Sequence, residues 1–449
     1  MGTAVNTAAA PASARCAALL VAAPASGQGK TTVAAALARL HARAGRKVRA
    51  FKVGPDFLDP FWLEIATGAP VHALDLWMVG EGGCAAQLNA AAAECDLLVI
   101  EGAMGLFDGS PSAADLSQRF GVPVLAVIDA GAMAGTFGAL AFGLRHYRAD
   151  LPWAGVLANR VASLRHGHML REGLREDADW LGSLPKGAEW ALPERHLGLV
   201  ADLPHAQALA RIDAAADALA ATPLAGIPLE RWATDFPAPS NPSDIPPLLA
   251  GRRVAVARDA SFAFVYRANL DVLQALGARV EFFSPLAGDA LPDCDAVWLP
   301  GGYPELYPQQ LSAATACRDG LAAHIDAGKP VWAECGGMMA LMDEICDMDG
   351  NSHPGWGLLP GSTRMQRRLA ALGPQQLKLP AGTLRGHTFH YSTAASPLPV
   401  VARTARPDTE PQPDAGEAVY AHEGVRASYF HAWFASSPAA IASLLGGGA

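Results

Sequence analysis

The segment Ala22–Thr32 reads AAPASGQGKTT and lies between an apolar run and a helix-forming one. A lysine and a threonine opening a helix behind a glycine-rich turn suit the binding of phosphate. Gly27 and Gly29 let the backbone turn its amides inward on an anion. Lys30 is placed to reach the β- and γ-phosphates, Thr31 to ligate Mg²⁺, and Thr32 to support the same nucleotide. The motif is a deviant one, because Pro24 stands where the strict pattern has glycine. ATP with Mg²⁺ is the co-substrate this loop leads us to expect.

Further acids and a base cluster around the same chemistry. The run Leu97–Glu101 is an apolar strand that ends in a carboxylate. In an open α/β sheet ligands sit beyond the carboxyl ends of strands, so Glu101 is expected opposite Thr31 as a Mg²⁺ ligand. The segment KVGPDFLDP follows another strand and offers Lys52, Asp56 and Asp59 in a loop stiffened by Pro55 and Pro60. Of its carboxylates, Asp56 is expected at the metal, and Asp59 with Lys52 at the phosphoryl group and substrate. Asn159 ends the run GVLANRV, where an adenine contact and a simple turn cap both remain open.

Pro330–Met339, PVWAECGGMM, offers a different chemistry. An apolar strand, a cysteine, two glycines and a helix resemble the sharp turn that exposes a nucleophile. A helix N-terminus favours the reactive thiolate at Cys335. The Gly336 amide can serve an oxyanion, and LPGGYPE supplies a second donor at Gly302. His431 in ASYFHAWF is the preferred base, with His387 and His390 as rivals.

These groups need a scaffold. Short apolar runs at Ala17–Ala22, Val48–Val53, Leu97–Glu101, Val124–Asp129 and Gly155–Asn159 alternate with helical runs such as Thr31–Ala42 and Gly131–Arg145. The pattern predicts an α/β fold built on a parallel sheet. A proline-rich stretch at 236–251 reads as a linker. The alternation then restarts with Arg253–Ala257, Asn269–Leu276, Val280–Phe283, Ala296–Leu299 and Val331–Ala333. We therefore expect a disordered extension at 1–15, an ATP-binding domain at 16–235 and a second α/β domain at 252–449.

A chain of 449 residues exceeds what one core usually organises. Its net charge of −9 argues against a general nucleic-acid binder. The scattered set of seven cysteines fits reduced thiols in the cytoplasm. No apolar run is long enough for a bilayer, and a homodimer is left open.

The phosphate loop, KVGPDFLDP, IEGAMGLFDG, PERHLGL (Pro193–Leu199), LPGGYPE, AECGG and SYFH occur in this order. The ordered set resembles the cobyrinic acid a,c-diamide synthase family. That resemblance implies a P-loop domain similar to dethiobiotin synthetase, followed by a class I glutamine amidotransferase domain. It further implies Cys335 as glutaminase nucleophile with His431 as partner, and adds Asp108 to the acidic positions of the MgATP and corrinoid site. The implied partners are ATP, L-glutamine and a corrinoid acid. Ammonia released from glutamine would attack an acyl phosphate and would need protection from water on its way. Many amidotransferases carry glutamate two residues after the histidine, but Trp433 stands there. A dyad, or a third member from elsewhere, is implied. Nickel-sirohydrochlorin a,c-diamide synthase and a cobyric-acid-synthase-type enzyme share the architecture. A P-loop ATPase switch would have no use for the cysteine turn.

Overall fold

Inner strands of the N-terminal unit are apolar on both faces, as strands covered on both sides must be. The computed structural model describes residues 13–192, 204–238, 245–407, 409–412 and 415–447. The PERHLGL segment, residues 1–12 and residues 239–244 lie outside the described residues. The chain divides into two units, with the division at Ser243 and Asp244, inside the proline-rich stretch.

The first unit begins with β1 (Ala14–Ala22), α1 (Lys30–Arg43), β2 (Val48–Val53), α2 (Asp59–Thr67) and β3 (His72–Leu74). It continues with α3 (Glu81–Ala92), β4 (Leu97–Glu101), α4 (Ala113–Phe120), β5 (Val124–Asp129) and α5 (Thr136–His146). It closes with β6 (Trp153–Val161), α6 (Leu164–Glu172), β7 (Trp180–Pro185), α7 (His205–Ala220) and β8 (Ala233–Phe236). The sheet order is β3-β2-β4-β1-β5-β6-β7. Its ladders are parallel except for β8, which runs antiparallel to the start of β1. Because β2, β4 and β1 are neighbours, three loops distant in sequence leave the same sheet edge side by side.

The second unit holds β9 (Arg253–Ala257), α8 (Arg267–Ala275), β10 (Arg279–Phe283), β11 (Ala296–Leu299), α9 (Pro308–Ala313) and α10 (Thr315–Asp326). Next come β12 (Val331–Glu334), α11 (Gly336–Leu341), β13 (Met342–Cys346), β14 (Ser352–Pro354) and β15 (Leu359–Met365). Then follow β16 (Ala371–Leu379), β17 (Gly382–His390), β18 (Ser392–Ala395), β19 (Val400–Arg403) and β20 (Ala418–His422). The last are β21 (Val425–Ser428), β22 (His431–Trp433) and α12 (Pro438–Gly446). The main sheet has the order β10-β9-β11-β12-β21-β20-β19. From β10 to β21 it is parallel, and β20 and β19 add antiparallel strands. Two smaller sheets, β14-β13-β15-β18 and β16-β17-β22, complete the unit. Apolar clusters line this sheet, one including Val297, Leu299 and Ala333, the other Val254, Val256 and Trp298.

Some boundaries differ from the sequence reading for identifiable reasons. Ala14 and Arg15 belong to β1, because β8 gives them pairing partners in Phe236 and Asp235. The helix expected from Gly131 starts at Thr136; Asp129 accepts the Gly131 amide at 3.0 Å and holds a turn there. Phe236 is 1 % exposed within β8, and Leu249 joins the core of the second unit, so the proline-rich stretch is anchored at both ends. Among the described residues, no helix is long and apolar enough to cross a membrane.

Candidate active sites

The first site lies at the carboxyl ends of β1, β2 and β4. Gly27 and Gly29 adopt φ of 78° and 95°, in the left-handed region where a Cβ is strained. At Gly29 a Cβ would also come within 2.2 Å of the Asn159 amide. That amide donates to the Gln28 carbonyl at 2.9 Å, while Asn159 Oδ1 accepts from the Arg160 amide at 3.0 Å. Asn159 thus braces the loop from β6. Gln28 accepts from the Asp129 amide at 2.8 Å, and Arg160 donates to the Gly27 carbonyl at 2.9 Å. Sequence reasoning did not single out these two props.

Helix α1 starts at Lys30 with no side-chain cap, so its first amides and dipole face the loop. Lys30 Nζ donates to the carbonyls of Ala25 and Met104, at 3.0 and 2.6 Å. Thr31 donates to Glu101 Oε1 at 2.6 Å; Thr32 is the next residue of the helix and is half-buried.

Lys52 is the centre of charge. Its buried ammonium stands 2.7 Å from Asp59 Oδ2 and 3.2 Å from Glu101 Oε1, and donates to the Gly102 carbonyl at 3.2 Å. Burial alone would lower its pKa, but Glu101, Asp59 and Asp56 together raise it above the ordinary lysine value. Asp56 Oδ1 accepts the amides of Leu58 and Asp59 at 2.8 and 3.1 Å, fixing the entry to α2. Asp108 is exposed, and its Oδ2 accepts the Gly105 amide at 2.8 Å.

A divalent ion can be tested against these groups. Glu101 is fully buried, and its Oε2 has no hydrogen-bond partner among the described residues. A buried carboxylate oxygen left unsatisfied is costly. With the Thr31 hydroxyl it forms the hard oxygen set that Mg²⁺ prefers, phosphates and water completing the shell. The residues fit the ion.

The second site repeats the placement at the ends of β11, β12 and β21. Cys335 adopts φ 45° and ψ −106°, a strained conformation for a residue with a side chain. Its amide donates to the Ser428 carbonyl at 2.7 Å, which clamps the turn to β21. A Cβ on Gly336 would lie 2.8 Å from Gly302 N, and one on Gly337 would lie 2.2 Å from the Leu299 carbonyl. Only glycines allow the loop after β11 to touch the cysteine turn, so the amide-bearing backbones of Gly302 and Gly336 meet.

Burial works against the expected thiolate. Burial, then Glu305, raise the Cys335 thiol well above its usual value; the Gly336 amide, which bonds the sulfur, lowers it only in part, and Glu417 and Glu334 add to the rise. The helix behind it, α11, runs only from Gly336 to Leu341, too short to outweigh desolvation. Burial also raises the thiols of Cys16, Cys84 and Cys317 to about 12 and that of Cys294 to about 11, but these lack the strained turn.

His431, in β22, is buried and packs against Gly301, whose Cβ would fall 2.3 Å from its Cε1. Its ring stacks on His387 with centroids 4.9 Å apart. Burial, then His387 and His390, hold it well below the usual histidine pKa, so it is neutral and able to accept a proton. The rivals are committed elsewhere. His387 lies 3.3 Å from the Tyr266 hydroxyl, and His390 contacts Glu417 at 3.1 Å and the Ser392 carbonyl at 2.7 Å. Glu334, at the end of the otherwise apolar β12, was missed. Its Oε2 stands 3.9 Å from His431 Nδ1. A charged residue closing the buried strand VWAE was the signal that could have found it.

Comparison with known proteins assigns these halves to families. Residues 19–200 match the CobQ/CobB/MinD/ParA nucleotide binding domain, and residues 253–439 match the CobB/CobQ-like glutamine amidotransferase domain. The chain is 56 % identical to the hydrogenobyrinate a,c-diamide synthase of Stutzerimonas stutzeri, covering 96 % of this chain and 98 % of that one. It is 55 % identical to the protein of the same name in Pseudomonas aeruginosa, with the same coverage. Identity to the cobyrinate a,c-diamide synthase of Herminiimonas arsenicoxydans is 48 %, over 95 % of this chain and 96 % of that one. Identity of this extent along almost the whole chain leaves one conclusion: the chain belongs to the a,c-diamide synthase family, a nucleotide-binding domain followed by a glutamine amidotransferase domain.

Proposed function

We propose that this protein uses ATP and glutamine to convert the a and c carboxylates of hydrogenobyrinate into amides. The observation that carries this reading is the 56 % identity to a hydrogenobyrinate a,c-diamide synthase over nearly both full lengths. Cobyrinate is the second reading, supported by the 48 % identity to an enzyme named for it. The sequence-derived domain division then separates two half-reactions in a cytoplasmic enzyme.

In the N-terminal unit, phosphorylation of the substrate carboxylate by ATP gives an acyl phosphate, and ammonia attacks its acyl carbon, forming the amide and releasing phosphate. Gly27, Gly29 and the start of α1 bind the phosphates, with Asn159 supporting the loop. Lys30 and Thr32 would serve the same anion. Thr31 and Glu101 would hold Mg²⁺, with Asp56 adding negative charge nearby; the ion, when bound, neutralises charge on the transferred group. Lys52 fixes Asp59 and Glu101, and Asp108 stands ready for the corrinoid side.

In the C-terminal unit, Cys335 loses its proton to His431 as sulfur attacks the glutamine side-chain amide. The oxyanion is met by the amides of Gly302 and Gly336. Collapse expels ammonia, with the proton returned from His431, and water then releases glutamate from the thioester. The test is mass spectrometry of the products formed from hydrogenobyrinate, cobyrinate and nickel-sirohydrochlorin, each with MgATP and glutamine. A diamide from hydrogenobyrinate or cobyrinate is expected. A diamide from nickel-sirohydrochlorin alone, or ATP hydrolysis with no amide from any of them, would overturn the reading.

A further inference from the structure

Glu334 ends β12, a strand otherwise made of Val331, Trp332 and Ala333. It is 1 % exposed, and a buried carboxylate must be satisfied or neutralised. Oε1 accepts from Trp332 Nε1 at 2.7 Å and from the Ala432 amide at 3.3 Å. Ala432 follows His431 directly, so this second bond ties the carboxylate to the strand that carries the histidine. Oε2 faces His431 Nδ1 at 3.9 Å. The position two residues after the histidine, where many amidotransferases place an acid, is Trp433.

We propose that Glu334 is the third member of the glutaminase site, a positioning residue that orients His431 and stabilises its protonated form. The inference rests on the glutaminase reading above. With Oε2 facing Nδ1, the Nδ1–H tautomer is favoured and Nε2 is left to take the Cys335 proton. In that step the S–H bond breaks and an Nε2–H bond forms. The resulting imidazolium carries its Nδ1–H toward a carboxylate, as the base's orienting acid does in other triads. The ionised carboxylate is therefore the competent form. Burial pushes the acid up to about 8, opposed in part by the Trp332 and Ala432 hydrogen bonds.

The alternative is that Glu334 only satisfies the Trp332 and Ala432 donors, and Glu334→Gln separates the two. The amide oxygen can keep both of those bonds. Its NH₂ would face Nδ1 and favour the tautomer with hydrogen on Nε2, which cannot accept the thiol proton. We expect kcat with glutamine to fall about 10²–10⁴-fold, with KM for glutamine changed less than about threefold. Ammonia-dependent amidation, which does not pass through this site, reports that the protein is folded. Activity of wild type should rise with pH through a group near 8, and the residual activity of Glu334→Gln should lack that limb. His387 and His390, which act on His431, and Tyr266, which bonds His387, are unchanged between the two proteins. Glutamine-dependent kcat within about threefold of wild type, or a loss confined to KM, would overturn the proposal. If Glu334→Gln fails to fold, Glu334→Asp and the wild-type pH limb decide: partial activity with the limb retained supports the role, and a missing limb in wild type overturns it. Cys335→Ser is assayed alongside. Glutamine use by that variant would sink the glutaminase reading itself, whereas loss there with full activity in Glu334→Gln would sink only the role of Glu334.

Discussion

Replacing Lys52 with methionine removes one ammonium and leaves Asp59 and Glu101 buried without it. At 2.7 and 3.2 Å the two attractions are about 6 and 5 kcal/mol in a medium of effective dielectric about 20. Much of that sum offsets the desolvation of the three ions, so the net effect is smaller. Removing one partner from a buried ion pair costs about 3–5 kcal/mol. In a folding unit of roughly 150–250 residues each kcal/mol moves the midpoint by about 2–4 °C, so a fall of about 6–20 °C is expected. The pH dependence has a definite sign. The raised pKa of Lys52 in the folded protein gives stability that is fully present below the ordinary lysine value and is lost only as pH rises through the folded one. It therefore does not vary between pH 5 and 8. In Lys52→Met the abandoned acids favour protonation, so the folded form binds more protons than the unfolded one, and stability falls as pH rises. Thermal unfolding followed by circular dichroism at pH 5 and pH 8 should show a wider gap between variant and wild type at pH 8. A fall of less than about 2 °C at pH 8, or a gap that is not smaller at pH 5, would refute the reasoning.

Cys335→Ser should abolish amidation from glutamine and leave amidation from ammonium salts largely intact, as measured by product mass under either nitrogen source. Glu101→Gln should lower turnover at least 100-fold with both sources and raise the Mg²⁺ needed for half-maximal rate; unchanged ammonia-dependent turnover at ordinary Mg²⁺ would exclude Glu101 from the metal. Asn159→Ala deletes one bond to the phosphate loop, and a loss of about 0.5–1.5 kcal/mol predicts a KM for ATP higher by about 2–13-fold with glutaminase kinetics unaltered.

The strands were legible where apolar runs are short and bounded, and β2, β4, β5, β9 and β11 lie at the expected residues. The sequence signal failed where partners far along the chain decide. Arg15 is polar and looks like part of a tail, yet Asp235 pairs with it in β8. Asn159 could be identified as a strand-end amide, but whether it reads adenine or braces a loop depends on Gln28 lying 2.9 Å away. The carboxylates Asp56, Asp59 and Glu101 were recognisable as a set. That Lys52 joins Asp59 to Glu101 follows from the adjacency of β2 and β4, which local spacing does not encode. At Cys335 a helix-dipole argument leaves out burial, which raises the thiol and is visible only once the surrounding strands are in place.

The two sites occupy equivalent places, each at the carboxyl ends of three neighbouring parallel strands, and treat charge in opposite ways. Phosphoryl transfer handles a polyanion, so the first site is built around ammonium groups that are already charged, with Lys52 held in place by acids. The second site must cleave a neutral amide with a thiol. Its cysteine is pushed up, its histidine is pushed down, and Glu334 is raised to about 8, so the resting triad is close to neutral near pH 7. Moving a proton from Cys335 to His431 there creates an ion pair in a poorly solvated interior, and that costs free energy until donors such as the Gly302 and Gly336 amides have an oxyanion to bind. A thiol that ionises only as the amide is attacked is protected from idle reaction, whereas a resting thiolate would be exposed to oxidation and to alkylating agents.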